Sequence, residues 1–343
     1  MLFRSEDVNV EHLLDVFTTV DSTSGSVWVA CLTFMDHLFW FKPRLIVLGA
    51  KIEALADNHP LKLECFFPLL RLFQRVGNNV EPKRLLAHAL KLSRERGDDH
   101  TLAQTLGGLS NVYMSMGQYE EGIRLAKEAS GIYERLGDTV RQSNCLTKVA
   151  SLLESTGQLD AAEEVASHAI DLFSQKGEQF QVCRCHRLLG IIYRSRGEIE
   201  KAIHCFEVAL GLASSSSWPT LLVLVHTSLA HLFADEGQFD DAHTHIEHAK
   251  LYAVNSNDTY SLATVTLLQA EFWRRQHRFE EAKSEALRAL DAFEKLGAMV
   301  GVEGVTGFLW VMDDDSRANV TPRELDNDGE LFTTVLSVAF IEC

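Results

Sequence analysis

The sequence contains no Gly-x-x-x-x-Gly-Lys-Ser/Thr loop, no Gly-x-Ser-x-Gly elbow and no His-Glu-x-x-His pair. The first absence removes the backbone cradle that holds nucleotide phosphates, and the other two remove common hydrolytic signatures. Neither enzymatic activity nor a cofactor is expected. Positive charge is also short, with 32 Lys and Arg against 48 Asp and Glu, a net charge of −16. Phosphate backbones call for a basic footprint, so nucleic acid is not an expected partner. The 7 cysteines form no tight framework, which fits a reducing, cytoplasmic setting. The start "MLFRSEDVNVEH" is too acidic and polar for a secretory leader, so the sequons at Asn257 and Asn319 read as chance matches. The one apolar run, Gly25 to Phe41, is interrupted by Asp36 and His37. It falls short of the roughly 20 residues of a membrane span and reads as a buried or interfacial helix, without membrane attachment.

Periodicity is what the sequence has in abundance. Gly77, Gly117, Gly157, Gly197 and Gly237 stand 40 residues apart, and His277 takes the sixth place. A second series, Gly97, Gly137, Gly177 and Gly297, runs midway, with Ser217 and Asn257 filling its gaps. Four residues before the first-series turns stand Phe73, Tyr113, Leu153, Tyr193, Phe233 and Trp273. Five after them come Pro82, Gly122, Ala162, Ala202, Ala242 and Ala282; twelve after, Ala89, Ala129, Ala169, Ala209, Ala249 and Ala289. Between turns, apolar residues recur at helical spacing, as in Leu188, Leu189, Ile192 and Tyr193. Each unit therefore reads as two helices of about 14 residues joined by a short turn. One pair cannot bury its apolar face alone, so neighbours must stack.

The stretch "LLGIIYRSRGEIEKAIHCFEVAL" is similar to the tetratricopeptide repeat, with Leu189, Gly190, Tyr193, Gly197, Ala202, Phe206 and Ala209 matching its pattern. The common period of that repeat is about 34; the longer one here, with turns such as "ERGDD" and "ERLGD", resembles the arrays attached to fungal STAND-class, NLR-like regulatory ATPases. "WVACLTFMDHL" looks like the segment that leads from the ATPase module into those repeats, and the resemblance spans about residues 28–310. It implies an all-α, right-handed superhelical solenoid of about six antiparallel helix pairs. Residues 1–41 are expected as an N-terminal segment with an apolar helix, 42–300 as the solenoid, and 301–343 as a capping helix and acidic flexible tail starting near Val311. The implied function is non-catalytic protein recognition, as the sensor arm of a signalling ATPase without its ATPase module. The alternative is a free-standing adaptor or co-chaperone that clamps an acidic or C-terminal peptide. For that clamp Asn111 and Arg184 fit, whereas Gly107, Lys148 and Leu188 do not.

Two groups of possible metal ligands stand out. Cys183, Cys185, His186, His204 and Cys205 cluster in sequence, a set that can hold zinc. Forty residues away Cys183 is matched by Ala103, Ser143, Val223 and Ala263, which marks a packed position. His245 and His248, within "HTHIEH" (residues 243–248), could share a metal, but an exposed polar face is the simpler reading. No metal site is expected from either. In arrays of this family the first helix of each pair lines the groove. There Arg184, Arg187, Ile191 and Arg194 form one stripe. Asn111, Asn144, His231, Glu271, Arg274 and Arg275, and also Arg71 and Arg75, are expected along the same surface. Arginine suits bidentate recognition of carboxylates, which points to an acidic peptide, with the chain's own residues 313–330 as one candidate. Otherwise these arginines neutralise acids such as Glu154 and Glu271.

Overall fold

A helix that must reverse direction needs a residue with positive φ just past its last turn, where orphan carbonyls can be closed off. The turn positions supply it. The computed structural model describes residues 80–317 apart from residue 297. Within that range φ is positive at Gly97, Gly117, Gly137, Gly157, Gly177, Gly197 and Gly237, and also at Ser217 (55°), Asn257 (54°) and His277 (59°). Residues 1–79 and 318–343, with the expected apolar helix, Gly77, Phe73, Arg71, Arg75 and most of the tail, lie outside the described residues, as does Gly297.

Twelve helices fill the described range, and no strand is found among the described residues: α1 (Val80–Arg96), α2 (Asp99–Ser115), α3 (Tyr119–Leu136), α4 (Thr139–Ser155), α5 (Leu159–Lys176), α6 (Gln179–Arg196), α7 (Ile199–Ser215), α8 (Pro219–Asp235), α9 (Phe239–Asn255), α10 (Thr259–Arg275), α11 (Phe279–Leu296) and α12 (Met299–Arg317). They are 17 to 19 residues long, longer than the 14 expected, because the turns are tight. At Gly137 the turn N–H donates to the Glu134 carbonyl at 3.0 Å, and the Asp138 N–H donates to the Tyr133 carbonyl at 3.0 Å. This Schellman closure lets the helix run up to its cap. First helices then start on an aspartate where one is available: Asp98, Asp138 and Asp258 accept the N–H of Thr101, Arg141 and Ser261 at 3.0, 3.0 and 2.9 Å. Second helices lack such caps at Gln118, Gln158 and Gln238 but carry first-turn acids, Glu120 with Glu121, Asp160, and Asp240 with Asp241, which complement the helix dipole.

The chain divides into two compact units, residues 1–112 and 113–343, so the division falls inside the span expected to be one solenoid. In the first unit Leu85, Leu86 and Ala89 of α1 and Ala103, Leu106 and Leu109 of α2 are buried. Pro82 sits in the first turn of α1, where its missing N–H costs no hydrogen bond. In the second unit the helices pack in antiparallel pairs, α4 on α5, α6 on α7, α8 on α9 and α10 on α11, and each second helix also packs on the next first helix. First helices of successive pairs contact each other directly as well: α4 with α6, α6 with α8, α8 with α10, α10 with α12. This makes them the inner layer of a tetratricopeptide-like solenoid. The helix α12 continues to Arg317, past the expected start of the tail near Val311, with Phe308 and Met312 buried along it.

Size complementarity holds the layers together. Ala129, Ala169, Ala209, Ala249 and Ala289, and likewise Ala162, Ala202, Ala242 and Ala282, have no exposed surface. At these places backbones approach too closely for a larger side chain. Gly190 marks one of the two tightest approaches, since a Cβ there would lie 2.5 Å from the fully buried ring of Phe206, as one at Gly301 would lie 2.4 Å from Phe293. One repeat later the same two places hold Ala230 and Ile246, both buried. Replacing Gly190 by Ala is expected to lower stability by about 1–3 kcal/mol through overpacking, although alanine is the better helix former by up to about 1 kcal/mol. Adding Phe206→Ile should recover part of that loss. Thermal denaturation of the two single variants and the double variant checks this; additive losses would show that the two side chains do not share one space.

Candidate functional site

The inner layer carries the stripe expected from the sequence. Arg184, Arg187, Ile191 and Arg194 lie on α6, and each is half-buried. Arg187 reaches across to α8, where its Nη1 donates to Ser228 Oγ at 3.2 Å, while its Nε is buried without a partner. Neither Arg184 nor Arg187 has a carboxylate partner among the described residues; Arg184 donates instead to Gln181 Oε1 at 3.3 Å. Burial pushes the Arg187 guanidinium down to about 10, with Arg184 and Arg194 adding to the effect. Lys148 on α4, which did not fit the co-chaperone clamp, is also pushed down, by burial first and then by Arg184. Lys148 and Arg187 are thus desolvated cations, with Arg184 crowded against them, in a protein with a large acidic excess.

The other end of the stripe is neutralised internally. Glu271 on α10 is buried and takes a bidentate bond from Arg274, at 2.9 and 3.0 Å, and one from Arg275 Nε at 3.1 Å. Asp235 on α8 pairs with Arg275 at 2.9 Å and with Arg194 at 3.6 Å. Glu154 accepts from Ser195 at 2.7 Å. His231 lies within the electrostatic reach of Arg194 and Arg275 and meets Phe272 edge-on at 5.8 Å. Asn144 is half-buried on α4. Asn111 belongs to the other unit, where its Oδ1 is buried without a partner.

The cysteine-rich stretch is dispersed by helix geometry. Cys183 Sγ donates to the Ala209 carbonyl of α7 at 3.2 Å, and Cys185 Sγ meets Thr147 Oγ1 of α4 at 3.3 Å. The two thiols therefore face different neighbours, as residues two apart on a helix must. Burial pushes the thiols of Cys145, Cys183, Cys185 and Cys205 up, Cys183 to about 11. They stay protonated and behave as small apolar groups. Sequence reading missed His226 on α8, which lies against His245 and His248 of α9; burial, then His245 and His248, pushes it down to about 4. A partial signal was available, since the same place holds Leu106 and Leu146 in the first two repeats, although His186 holds it in the third.

Comparison with known proteins follows this geometry closely. The tetratricopeptide repeat profile matches residues 101–175 and 142–215. Tetratricopeptide repeats are therefore present in the chain. No curated protein matches it in sequence. A solved Rap protein complexed with Competence and Sporulation Factor shares the fold at a TM-score of 0.60 and 15% identity, over 91% of this chain and 93% of that one. Aspartyl phosphate phosphatase F from Bacillus subtilis is similar at 0.57 and 14%, over 94% and 92%. The Rap conjugation gene regulator of the plasmid pLS20, in complex with the Phr* peptide, gives 0.53 and 14%, over 92% of each chain.

Burial of neutral histidine sets a pH dependence. His231 is held well below its ordinary range by burial and then by Arg194 and Arg275, and His186 is lowered by burial and then by His204. A histidine of the unfolded chain titrates near about 6.5. Above that value both states are neutral and the fold keeps its full stability. As pH falls below it, the unfolded chain takes up protons that the folded chain refuses, and stability is lost. Urea denaturation is expected to show a decline between pH 6.5 and 5, up to about 2 kcal/mol per histidine, and His231→Leu should flatten it. An unchanged slope would show that His231 is solvated.

Proposed function

We propose that the chain is a non-catalytic scaffold whose inner helical layer captures an acidic peptide. One observation carries this reading: on the inner helices Arg184 and a desolvated Arg187 crowd together near a desolvated Lys148, and neither arginine has a carboxylate partner among the described residues. Crowded cations of this kind cost stability, and such a cost persists in folds where a ligand offsets it. A carboxylate reaching Arg187 would meet a fixed fork of donors and a partly dry surrounding, where charge-assisted bonds are strongest. The Phr* peptide bound by one structural relative gives a precedent for peptide capture within the same fold. Arg274 and Arg275, already bonded to Glu271 and Asp235, act in this reading as a rigid wall beside the site.

We read the array more narrowly as the recognition arm of a STAND-class signalling ATPase, supported by its 40-residue period and expanded turns. A free-standing adaptor is the alternative, and an in-frame ATPase module in the genomic sequence upstream of Met1 separates the two. A reducing cytoplasm fits the buried free thiols of Cys145, Cys183, Cys185 and Cys205. Among the described residues no helix is long and apolar enough to cross a membrane. If the chain's own tail is the ligand, the captured part is 318–330, because residues up to Arg317 belong to α12.

Fluorescence anisotropy with a synthetic peptide of residues 313–330, and with oligoglutamate, tests the reading. Salt-sensitive binding is expected, lost by at least about tenfold in the double variant Arg184→Glu and Arg187→Glu, since each charge-assisted bond is worth about 1.5–3 kcal/mol. Arg187→Met should abolish capture and yet raise stability by about 1 kcal/mol, by relieving the crowded charge. Equal binding by the double variant, or no binding of either peptide, contradicts the proposal.

A further inference from the structure

Away from the arginine stripe, the fourth repeat alone carries histidine at both of two facing places. The place of His226 on first helices is Leu106, Leu146 and His186 in the three earlier repeats and Thr266 in the next. The place of His245 on second helices is Leu125, Val165 and Cys205 before it, and Glu285 after it. Leucine and valine serve packing in the first two repeats, and the third pairs His186 with Cys205, so imidazole at both places is particular to the fourth. His226 is 6% exposed, His245 is half-buried and His248 is exposed. One ring nitrogen of each lies within 4.8 Å of those of the other two. No other group of His, Cys, Asp or Glu among the described residues meets this spacing.

The facing nitrogens are the decisive feature. His226 Nδ1 and His245 Nδ1 are 2.9 Å apart. Two imidazoles tetrahedrally bound to one zinc ion, at Zn–N of about 2.0–2.1 Å, place their nitrogens about 3.3 Å apart. A few tenths of an ångström of opening would admit the ion. His245 and His248 are three residues apart on α9 and so share one helix face. The rings are held in place, His245 stacked on Phe233 at 5.3 Å and 5°, and His226 on Tyr252 at 5.6 Å and 19°. Fixed rings reduce the ordering that metal capture requires. Three imidazoles suit zinc and its transition-metal neighbours, not calcium or magnesium.

We infer that His226, His245 and His248 form a binding site for one divalent transition-metal ion of the zinc class, clamping α8 to α9. The exposed His248 leaves the fourth coordination position on the solvent side, open to water or to a donor from a partner. His243 on the same helix lies instead against Trp273, at 5.7 Å between ring centroids, and takes no part. The site is independent of the arginine stripe and of any peptide bound there.

The test is titration of tag-free, chelator-stripped full-length protein with zinc chloride by calorimetry, repeated with cobalt(II) for its visible tetrahedral bands. One zinc per chain, bound at micromolar concentration or tighter, with a rise in melting temperature, is expected. His226→Leu, which restores the side chain of Leu106 and Leu146, and His248→Ala at the exposed ligand should each weaken binding at least about tenfold. His243→Ala should bind as the parent does. Circular dichroism confirms that the variants remain helical, and His248→Ala keeps the test open if His226→Leu does not fold. Absence of saturable micromolar binding overturns the inference. So does binding that survives both ligand substitutions.

Discussion

Everything in this molecule depends on a left-handed residue placed every 20 positions. Each such residue among those described stops one helix, closes off its last carbonyls and lets the next helix start two residues later. That fixed spacing makes helices of equal length, and equal lengths let every pair present the same small residues to its neighbours. The alanines at Ala169, Ala209, Ala249 and Ala289 are fully buried because the turns bring them into register. Glycine meets the conformational demand in seven described turns. Ser217, Asn257 and His277 meet it with a Cβ, in φ near 55° to 59°, and so hold local strain of about 1 kcal/mol or more each, least for asparagine.

Once the register is set, the array behaves as a regular lattice of positions on which departures become meaningful. Gly190 is small because Phe206 is large. Arg184 and Arg187 put cations where other first helices carry Gln104, Asn144 and Leu224, or Gly107, Thr147 and Thr227. His226 and His245 stand where the first two repeats carry leucine or valine and the third carries His186 and Cys205. Buried polarity costs stability wherever its hydrogen bonds or charges are incompletely matched. The proposed anion and metal sites are the readings under which these four polar residues would offset that cost.

The repeat architecture was legible in the sequence because turn and packing residues recur at one fixed interval. Even the non-glycine turns at Ser217, Asn257 and His277 follow from position alone. Helix length was not, since tight turns leave only two or three residues outside the helices, a matter of backbone bonding rather than residue type. The stripe of Arg184, Arg187 and Arg194 follows from helical spacing, but its internal division does not. Glu271 meets Arg274 and Arg275 at helical spacing, but that Asp235 takes up Arg194 and Arg275, while Arg184 and Arg187 find no carboxylate, depends on contacts between helices about 40 residues apart. His226 was hidden for the same reason. It is 19 residues from His245 and on another helix, so only the packing of α8 on α9 shows the triad.

The claim on which the rest stands is that the backbone at Ser217, Asn257 and His277 is left-handed because the register demands it. The most direct measurement is the melting of a variant with glycine at all three places. Relief of the Cβ penalty, less the entropy that glycine restores to the unfolded chain, predicts a gain of about 1–2 kcal/mol and a melting point higher by a few degrees. A lower melting point, with helicity intact below the transition, would mean that these residues are held by their own side-chain contacts and that the left-handed turn is not the constraint that orders the array.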